Sequence, residues 1–188
     1  MILRRLPCLL AMAGVIAACS NSSNDTQVFG GHTDIINHRI TLQDGQVTVH
    51  AEGVPDAVVD GSGKLSIDGR EVPVNDAQRA LLQRYNASAQ AMRADAIATG
   101  KAGAATAAKA VGSVASKLAG NDEDKATAHD QIEAAANDVK LAAAKICDDV
   151  ASMKAAQDQL ATQLDAFKPY ASALGEANVE KCREHASN

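Results

Sequence analysis

Histidine and carboxylate side chains are the groups in this sequence best suited to metal binding or acid–base chemistry. His32, His38 and His50 lie close together along the chain, but they lack the short ligand spacing of zinc sites. The acidic run at residues 122–124 resembles a carboxylate cluster, yet acids also accumulate at helix N-termini because the helix dipole favours them. Nucleophile elbows, phosphate-binding loops and zinc-hydrolase helices are absent from the sequence. We therefore expect no enzyme activity, no catalytic residue, no metal site and no cofactor.

Cys19 follows an apolar run directly and precedes a string of small polar residues. Residues 1–18 have the basic start, apolar middle and small-residue end of a secretory signal peptide, with Arg4 and Arg5 as the basic residues. The apolar run is shorter than the roughly twenty residues that a membrane-spanning helix needs. The sequence therefore predicts a signal peptide at 1–18.

The residues around this junction resemble the lipobox of bacterial lipoproteins. Ile16, Ala17 and Ala18 supply an aliphatic and two small residues before Cys19. The resemblance implies cleavage before Cys19, a diacylglyceryl thioether on its sulfur and a further acyl chain on the new N-terminus. Ser20 in place of aspartate implies delivery to the outer membrane, with the body of the protein in the periplasm. The alternative is ordinary cleavage after Ala18, with Cys19 unmodified.

Two cysteines, Cys147 and Cys182, remain beyond the predicted signal peptide and the anchor. In an oxidising periplasm such a pair predicts a disulfide, and two unpaired thiols are the alternative. The helix predicted to end at Pro169 makes the geometry awkward. Pairing within one chain requires an extended segment after Pro169 or an earlier helix end, and otherwise the bond would join two chains.

The composition favours thin helices over a thick globular core. The chain has two Phe, two Tyr and no Trp, so its 46% hydrophobic content rests largely on alanine. Alanine has high helix propensity but contributes little apolar area. The formal net charge of -5, with no Lys/Arg stripe, argues against nucleic acid as a partner.

Short alternating runs at residues 37–74 predict a small antiparallel β-meander of four or five strands, after a flexible tether at 19–36. Three Asp–Gly dipeptides mark turns between the runs, beginning at Asp44, Asp60 and Asp68. The remainder, 75–188, predicts a helical hairpin with a short C-terminal helix. The fold class is therefore α+β: a small meander, a long antiparallel helical hairpin and a short third helix.

The hairpin arms are expected at residues 75–119 and 122–168, followed by a third helix at 170–185. Asn75 and Gln78 fit a capping box at the start of the first arm. The second arm carries a heptad seam, interrupted once by Gln157, that predicts coiled-coil-like packing. Its main positions are Ile132, Val139, Ile146, Met153, Leu160 and Phe167.

A row of small residues at steps of four runs along the first arm and predicts close approach of a partner. Its members are Gly100, Ala104, Ala108, Gly112, Ser116 and Gly120. A helix lying on the membrane surface is the alternative.

The stretch DGSGKLSIDGREVPVNDAQRALLQRY, residues 60–85, resembles the core motif of the YggN-like family of bacterial periplasmic proteins, whose function is unknown. The resemblance implies a periplasmic location and no particular activity. This chain departs from that pattern by being shorter and by carrying the lipobox.

Together these features predict a lipid-anchored, non-catalytic envelope protein of structural or interaction type. The anchor on Cys19 provides its contact with the membrane, and an envelope protein or peptidoglycan is the expected partner. The alternative is a binding module that holds a small apolar or lipid ligand in a cleft between meander and helices. Dry packing of the two arms would favour the first hypothesis, and splayed arms would favour the second.

Overall fold

Six antiparallel strands, paired with one another in chain order, form a single sheet. The computed structural model of the chain describes residues 32–36, 38–118 and 124–187. The strands are β1 (His32–Ile36), β2 (Ile40–Gln43), β3 (Gln46–Val49), β4 (Ala57–Val59), β5 (Leu65–Ile67) and β6 (Arg70–Val72). The predicted meander is confirmed, with one strand more than expected. The predicted signal peptide, Cys19 and the tether up to residue 31 lie outside the described residues.

Alternate residues of the four inner strands share one face of the sheet and are buried there. Strand pairing aligns them into two apolar rows, because residues directly opposite on neighbouring strands lie side by side. The rows are Leu42, Val47, Val59 and Leu65, and Ile40, Val49, Ala57 and Ile67. All but Ile67 are fully buried, so the sheet presents a continuous apolar face to the helices.

β1 corrects the predicted tether boundary, because the sheet starts at His32 rather than after residue 36. The turn into β2 contains no glycine, although His38 has a left-handed φ of 60°. The Asp34 carboxylate accepts a hydrogen bond from the His38 backbone N–H at 2.9 Å and lies 2.8 Å from His38 Nδ1. These contacts stabilise a conformation that glycine usually supplies, so a search for Asp–Gly turns misses this one.

The first helix, α1 (Asp76–Leu118), starts with the predicted capping box. Asn75 Oδ1 accepts the Gln78 backbone N–H at 2.9 Å, and Gln78 Oε1 accepts the Asn75 backbone N–H at 3.0 Å. Gln78 Nε2 also donates to the Gln163 carbonyl at 2.7 Å. Gln163 is the last residue of the second helix, α2 (Asp124–Gln163), so this bond ties the two helices together at the sheet.

Predicted turns at Asp44–Gly45 and Asp68–Gly69 are confirmed, with positive φ at both residues of each dipeptide as in type I′ hairpins. The third dipeptide belongs to a longer turn between β4 and β5. There Asp60 Oδ1 accepts the Ser62 hydroxyl at 2.7 Å, and this bond lowers the pKa of Asp60.

Gly63 brings the β4–β5 turn directly onto α1. It has a φ of 77°, and a Cβ placed on it would lie 2.6 Å from the Arg79 carbonyl oxygen. A side chain at this position is therefore opposed both by its backbone conformation and by the helix behind it.

α2 ends five residues before the predicted end at 168, which corrects the second arm. The chain then forms a 3₁₀ helix over Asp165–Tyr170, with Pro169 inside it. This path turns Phe167 and Tyr170 into the core, where both are buried. Burial of two aromatic rings favours this path over continuation of the helix.

The C-terminal helix, α3 (Glu176–Ser187), begins six residues later than the predicted start at 170. The turn segment before it is fixed by Gln157, which is fully buried in α2. Gln157 Nε2 donates to the carbonyls of Ala171 at 2.7 Å and Leu174 at 2.9 Å, and its Oε1 accepts the Leu174 N–H at 3.1 Å. Gln157, which interrupts the predicted heptad seam, thus forms hydrogen bonds with three backbone groups.

One core lies between the sheet and the helices. The ring of Phe167 packs edge-to-face against that of Tyr85, with 5.9 Å between the ring centroids, and its centroid lies 5.6 Å from that of Tyr170. The Tyr170 hydroxyl donates to the Pro55 carbonyl, and burial raises the pKa of Tyr85 well above its ordinary value. The space between meander and helices, where the ligand cleft was expected, is therefore filled by side chains.

Candidate ligand groove between the helical arms

α1 and α2 continue beyond the core, and we call this outer part, residues 97–118 and 124–146, the arm. The remainder of the described chain is the base. None of the arm side chains whose exposure the structure describes is buried, and Val139 and Leu141 are 38% and 68% exposed. Neither these helices nor any other described helix is long and apolar enough to cross a membrane.

The predicted heptad seam divides where the arm meets the base. Its buried members are Met153, Leu160 and Phe167, all in the base. Ile146 is half-buried at the border, Val139 is exposed, and the side chain of Ile132 lies outside those described. Coiled-coil packing is therefore not observed in the described part of the arm, where the apolar seam residue Val139 is left exposed.

The row of small residues on α1 does not bring the helices together. Gly100, Ala104 and Ala108 are exposed, and a Cβ placed on Gly100 or Gly103 would meet nothing within 4 Å. The side chains of the later members of the row lie outside those described. The predicted close approach is therefore wrong in the described part of the row.

A groove of about 570 Å³ lies between the two helices of the arm. It is lined by Gly103, Thr106 and Ala107 of α1, by Ala135, Ala136, Val139, Lys140 and Ala143 of α2, and by His185 and Ala186 of α3. The Thr106 hydroxyl donates to the Ala102 carbonyl at 2.9 Å within its own helix, so its donor is already used. Lys140 and His185 are the lining residues that can carry charge. The groove can accommodate an apolar group, because most of its described lining residues are alanine, glycine or valine.

The disulfide between Cys147 and Cys182 fixes α3 against α2 at the base end of this groove. The two Cα atoms are 5.5 Å apart, and both residues belong to the same chain. Pairing within one chain was expected to need either an extended segment after Pro169 or an earlier end of the helix. The structure has the earlier helix end, because α2 stops at Gln163. The bond holds His185 and Ala186 at one wall of the groove, a contribution that the sequence patterns did not predict.

A second cavity, of about 430 Å³, lies on the base and has a polar lining that includes Arg39, His50 and Ser172. The Arg39 guanidinium donates to the Ser172 carbonyl at 3.2 Å, and His50 Nδ1 lies 2.7 Å from Asp56 Oδ1. His38 likewise pairs with a single carboxylate, that of Asp34. Across the described chain, no three His, Cys, Asp or Glu side chains are grouped to hold a metal ion. These contacts connect loops of the base.

The sheet, the hairpin and the groove define an α+β protein with a closed base and an open helical arm. Residues 35–132 match the family described as "Protein of unknown function (DUF2884)", and because this is more than half of the 188-residue chain, the chain belongs to that family. The match includes the α1 wall of the groove but not Lys140, the disulfide or α3. No curated protein and no solved structure matches the chain. The YggN-like resemblance and the lipoprotein assignment stay predictions.

Proposed function

We propose that this protein is a lipid-anchored, non-catalytic binding protein of the bacterial envelope, in which the base supports an arm that engages another envelope component. The observation that carries this proposal is the contrast between the two regions. The base encloses its large apolar side chains, whereas the arm leaves Val139 exposed in the lining of an apolar groove and Leu141 exposed outside that lining. Exposed apolar surface that the fold itself does not need is typical of binding sites.

The anchor rests on Cys19 and its lipobox-like context. Two or three acyl chains give stable membrane attachment, whereas one gives only marginal binding. A Cys19→Ser variant should lose the lipid and appear in the soluble periplasmic fraction or remain unprocessed. Cys8→Ser, inside the predicted signal peptide, is the matched control and should stay anchored. A Cys19→Ser protein that remains membrane-bound and fully processed would contradict lipidation.

The arm as binding region can be tested with a lysine-reactive crosslinker in intact cells, followed by mass spectrometry. Lys140 and Lys145 report on the arm, and the exposed Lys64 and Lys168 report on the base. We expect crosslinks to an envelope protein to concentrate on Lys140 and Lys145 rather than on Lys64 and Lys168. Crosslinks confined to Lys64 and Lys168 would overturn the assignment of the arm.

A second candidate function, binding of a small apolar or lipid ligand, is favoured by the volume and lining of the groove. The volume lies within the roughly 300–1,000 Å³ range of small-molecule sites. The location differs from the cleft that the sequence suggested, because the core occupies the space between sheet and helices. Lipid extraction from the purified protein tests this candidate, and recovery of lipid without any crosslinked protein would favour it over the first.

A further inference from the structure

The described side chains that line the groove include no acid, although the whole chain is acidic. The protein carries a formal charge of -5, yet the ionisable residues among the described lining residues are Lys140 and His185. These residues belong to two different walls, α2 and α3. An apolar channel with cationic groups at its edge matches a molecule with an apolar body and an anionic end.

Lys140 is available to such a molecule. The neighbours at three and four positions on either side along α2 are Ala136, Asn137, Ala143 and Ala144, so the helix supplies no acidic partner. Lys140 forms no ion pair with any described residue. Lys154 on the same helix differs, because it pairs with Asp158 and with Glu176.

The size of the groove favours a slender occupant. The described lining on α2 runs from Ala135 to Ala143, which is about 12 Å of helix. A protein helix is about 10 Å across, so only part of its surface would enter a groove of about 570 Å³. A single hydrocarbon chain is narrower, and small lining residues such as Gly103 and Ala136 leave room for it.

We propose that the groove binds a single-chain amphiphile with an anionic head, namely a long-chain carboxylate. The chain lies against the alanine walls of α1 and α2, and the carboxylate pairs with the Lys140 ammonium, with His185 as a second donor. This proposal rests on the arm being a binding region, and it names a ligand that the crosslinking experiment does not detect.

The test uses displacement of 11-(dansylamino)undecanoate, whose fluorescence rises in apolar surroundings, from the full chain carrying Cys19→Ser in detergent-free buffer. Dodecanoate, dodecanol and dodecyltrimethylammonium share a chain and differ in head charge. We expect dodecanoate to compete about three- to fivefold better than dodecanol, as one partly exposed ion pair allows, and the cation to compete worst.

Two pairs of variants locate the site. Lys140→Met should abolish the preference for dodecanoate over dodecanol, whereas Lys145→Met, on the same helix outside the groove lining, should preserve it. Ala136→Phe should fill the groove and weaken probe binding at least tenfold, whereas Ala144→Phe, which is exposed and outside the lining, should not. Circular dichroism of each variant checks that the helices are intact.

Each result decides the proposal. Three results together support it: dodecanoate displaces the probe from the wild type, Ala136→Phe weakens probe binding, and Lys140→Met removes the preference for dodecanoate over dodecanol. Failure of the wild-type groove to bind the probe, or unchanged binding in Ala136→Phe, overturns it. Equal competition by all three head groups overturns the anionic specificity. A negative result here leaves the crosslinking pattern of the arm as the separate test of the proposed function.

Discussion

α1 and α2 run through two regions of this protein and are packed differently in each. In the base their inner faces carry large side chains such as Leu82, Tyr85 and Leu160, each fully buried against the sheet or the 3₁₀ helix. In the arm the corresponding positions are mostly alanine and glycine, and no described side chain is buried. Each alanine buries little apolar area, so the arm gains little stability from packing. Helix continuity therefore does not imply equal stability along the helix.

The largest expected effect tests the disulfide, which lies in the base directly beside the arm. A Cys147→Ala, Cys182→Ala double variant opens a loop with a sequence separation of 35 and should lower the free energy of unfolding by about 4 kcal/mol. Urea unfolding measures the loss, and reduction of the wild type should reproduce it. Hydrogen exchange of α1 amides in the arm should change little, because they already open locally. A loss below about 1 kcal/mol would mean that the bond contributes little to the base.

Shortening one apolar side chain in the base and one in the arm tests the difference in packing between the two regions. Leu160→Ala removes a fully buried side chain and should destabilise the protein by about 3 kcal/mol. Val139→Ala removes a side chain that is 38% exposed and should cost about 0.5 kcal/mol or less. Thermal or urea unfolding compares the two. Similar losses would show that the arm is packed as well as the base.

A pair of glycine substitutions examines how closely the sheet adjoins α1. Gly63→Ala and Gly53→Ala share a φ of 77°, but the added methyl group meets the Arg79 carbonyl in the first and nothing within 4 Å in the second. Gly63→Ala should therefore destabilise by about 1–3 kcal/mol more than Gly53→Ala, the usual cost of overpacking. Equal losses in urea unfolding would mean that only the backbone conformation matters.

The smallest effect concerns the border between base and arm. Burial, together with the charges of Asp95 on α1 and the adjacent Asp148, raises the pKa of Asp149. Since this pKa is higher in the folded than in the unfolded chain, ionisation of Asp149 costs folding free energy above it, and the cost disappears as the pH falls through it.

Asp149→Asn should accordingly stabilise the protein at pH 7 by up to about 0.5 kcal/mol, and the gain should shrink towards pH 4. Asp138→Asn, an exposed change in the arm, is the matched control for removal of a carboxylate from α2. Thermal unfolding at both pH values checks this prediction. A gain that persists unchanged at low pH would exclude an electrostatic origin.

The sequence predicted those elements whose signals are local. The capping box at Asn75, the Asp–Gly turns and the alternating strands depend on neighbouring residues, and all of them form. β1 escaped prediction because its turn depends on the Asp34 contacts with His38, and the end of α2 did so because burial of Phe167 is a tertiary effect.

The groove could not be predicted from sequence patterns, and the reason is geometric. Steps of four residues advance about 40° past a full helical turn, so the row from Gly100 to Ala108 winds around α1 and leaves the side that faces α2. The heptad pattern indicates which positions are apolar, but it does not indicate whether the side chains there are large enough to fill the space between two helices. The sequence shows that Lys140 has no acidic residue three or four positions away, yet only α3, fixed by its disulfide, shows that the lysine borders the groove.

The bond from the Tyr170 hydroxyl to the Pro55 carbonyl joins residues 115 positions apart, whereas every strand pairs with its neighbour in sequence. As the chain emerges from its N-terminus, the sheet and the start of α1 can therefore form early, because local pairing is fast. The apolar rows nevertheless stay incompletely covered until the 3₁₀ helix arrives near residue 170. Newly made chains therefore expose these apolar rows for most of their synthesis, a state that favours aggregation.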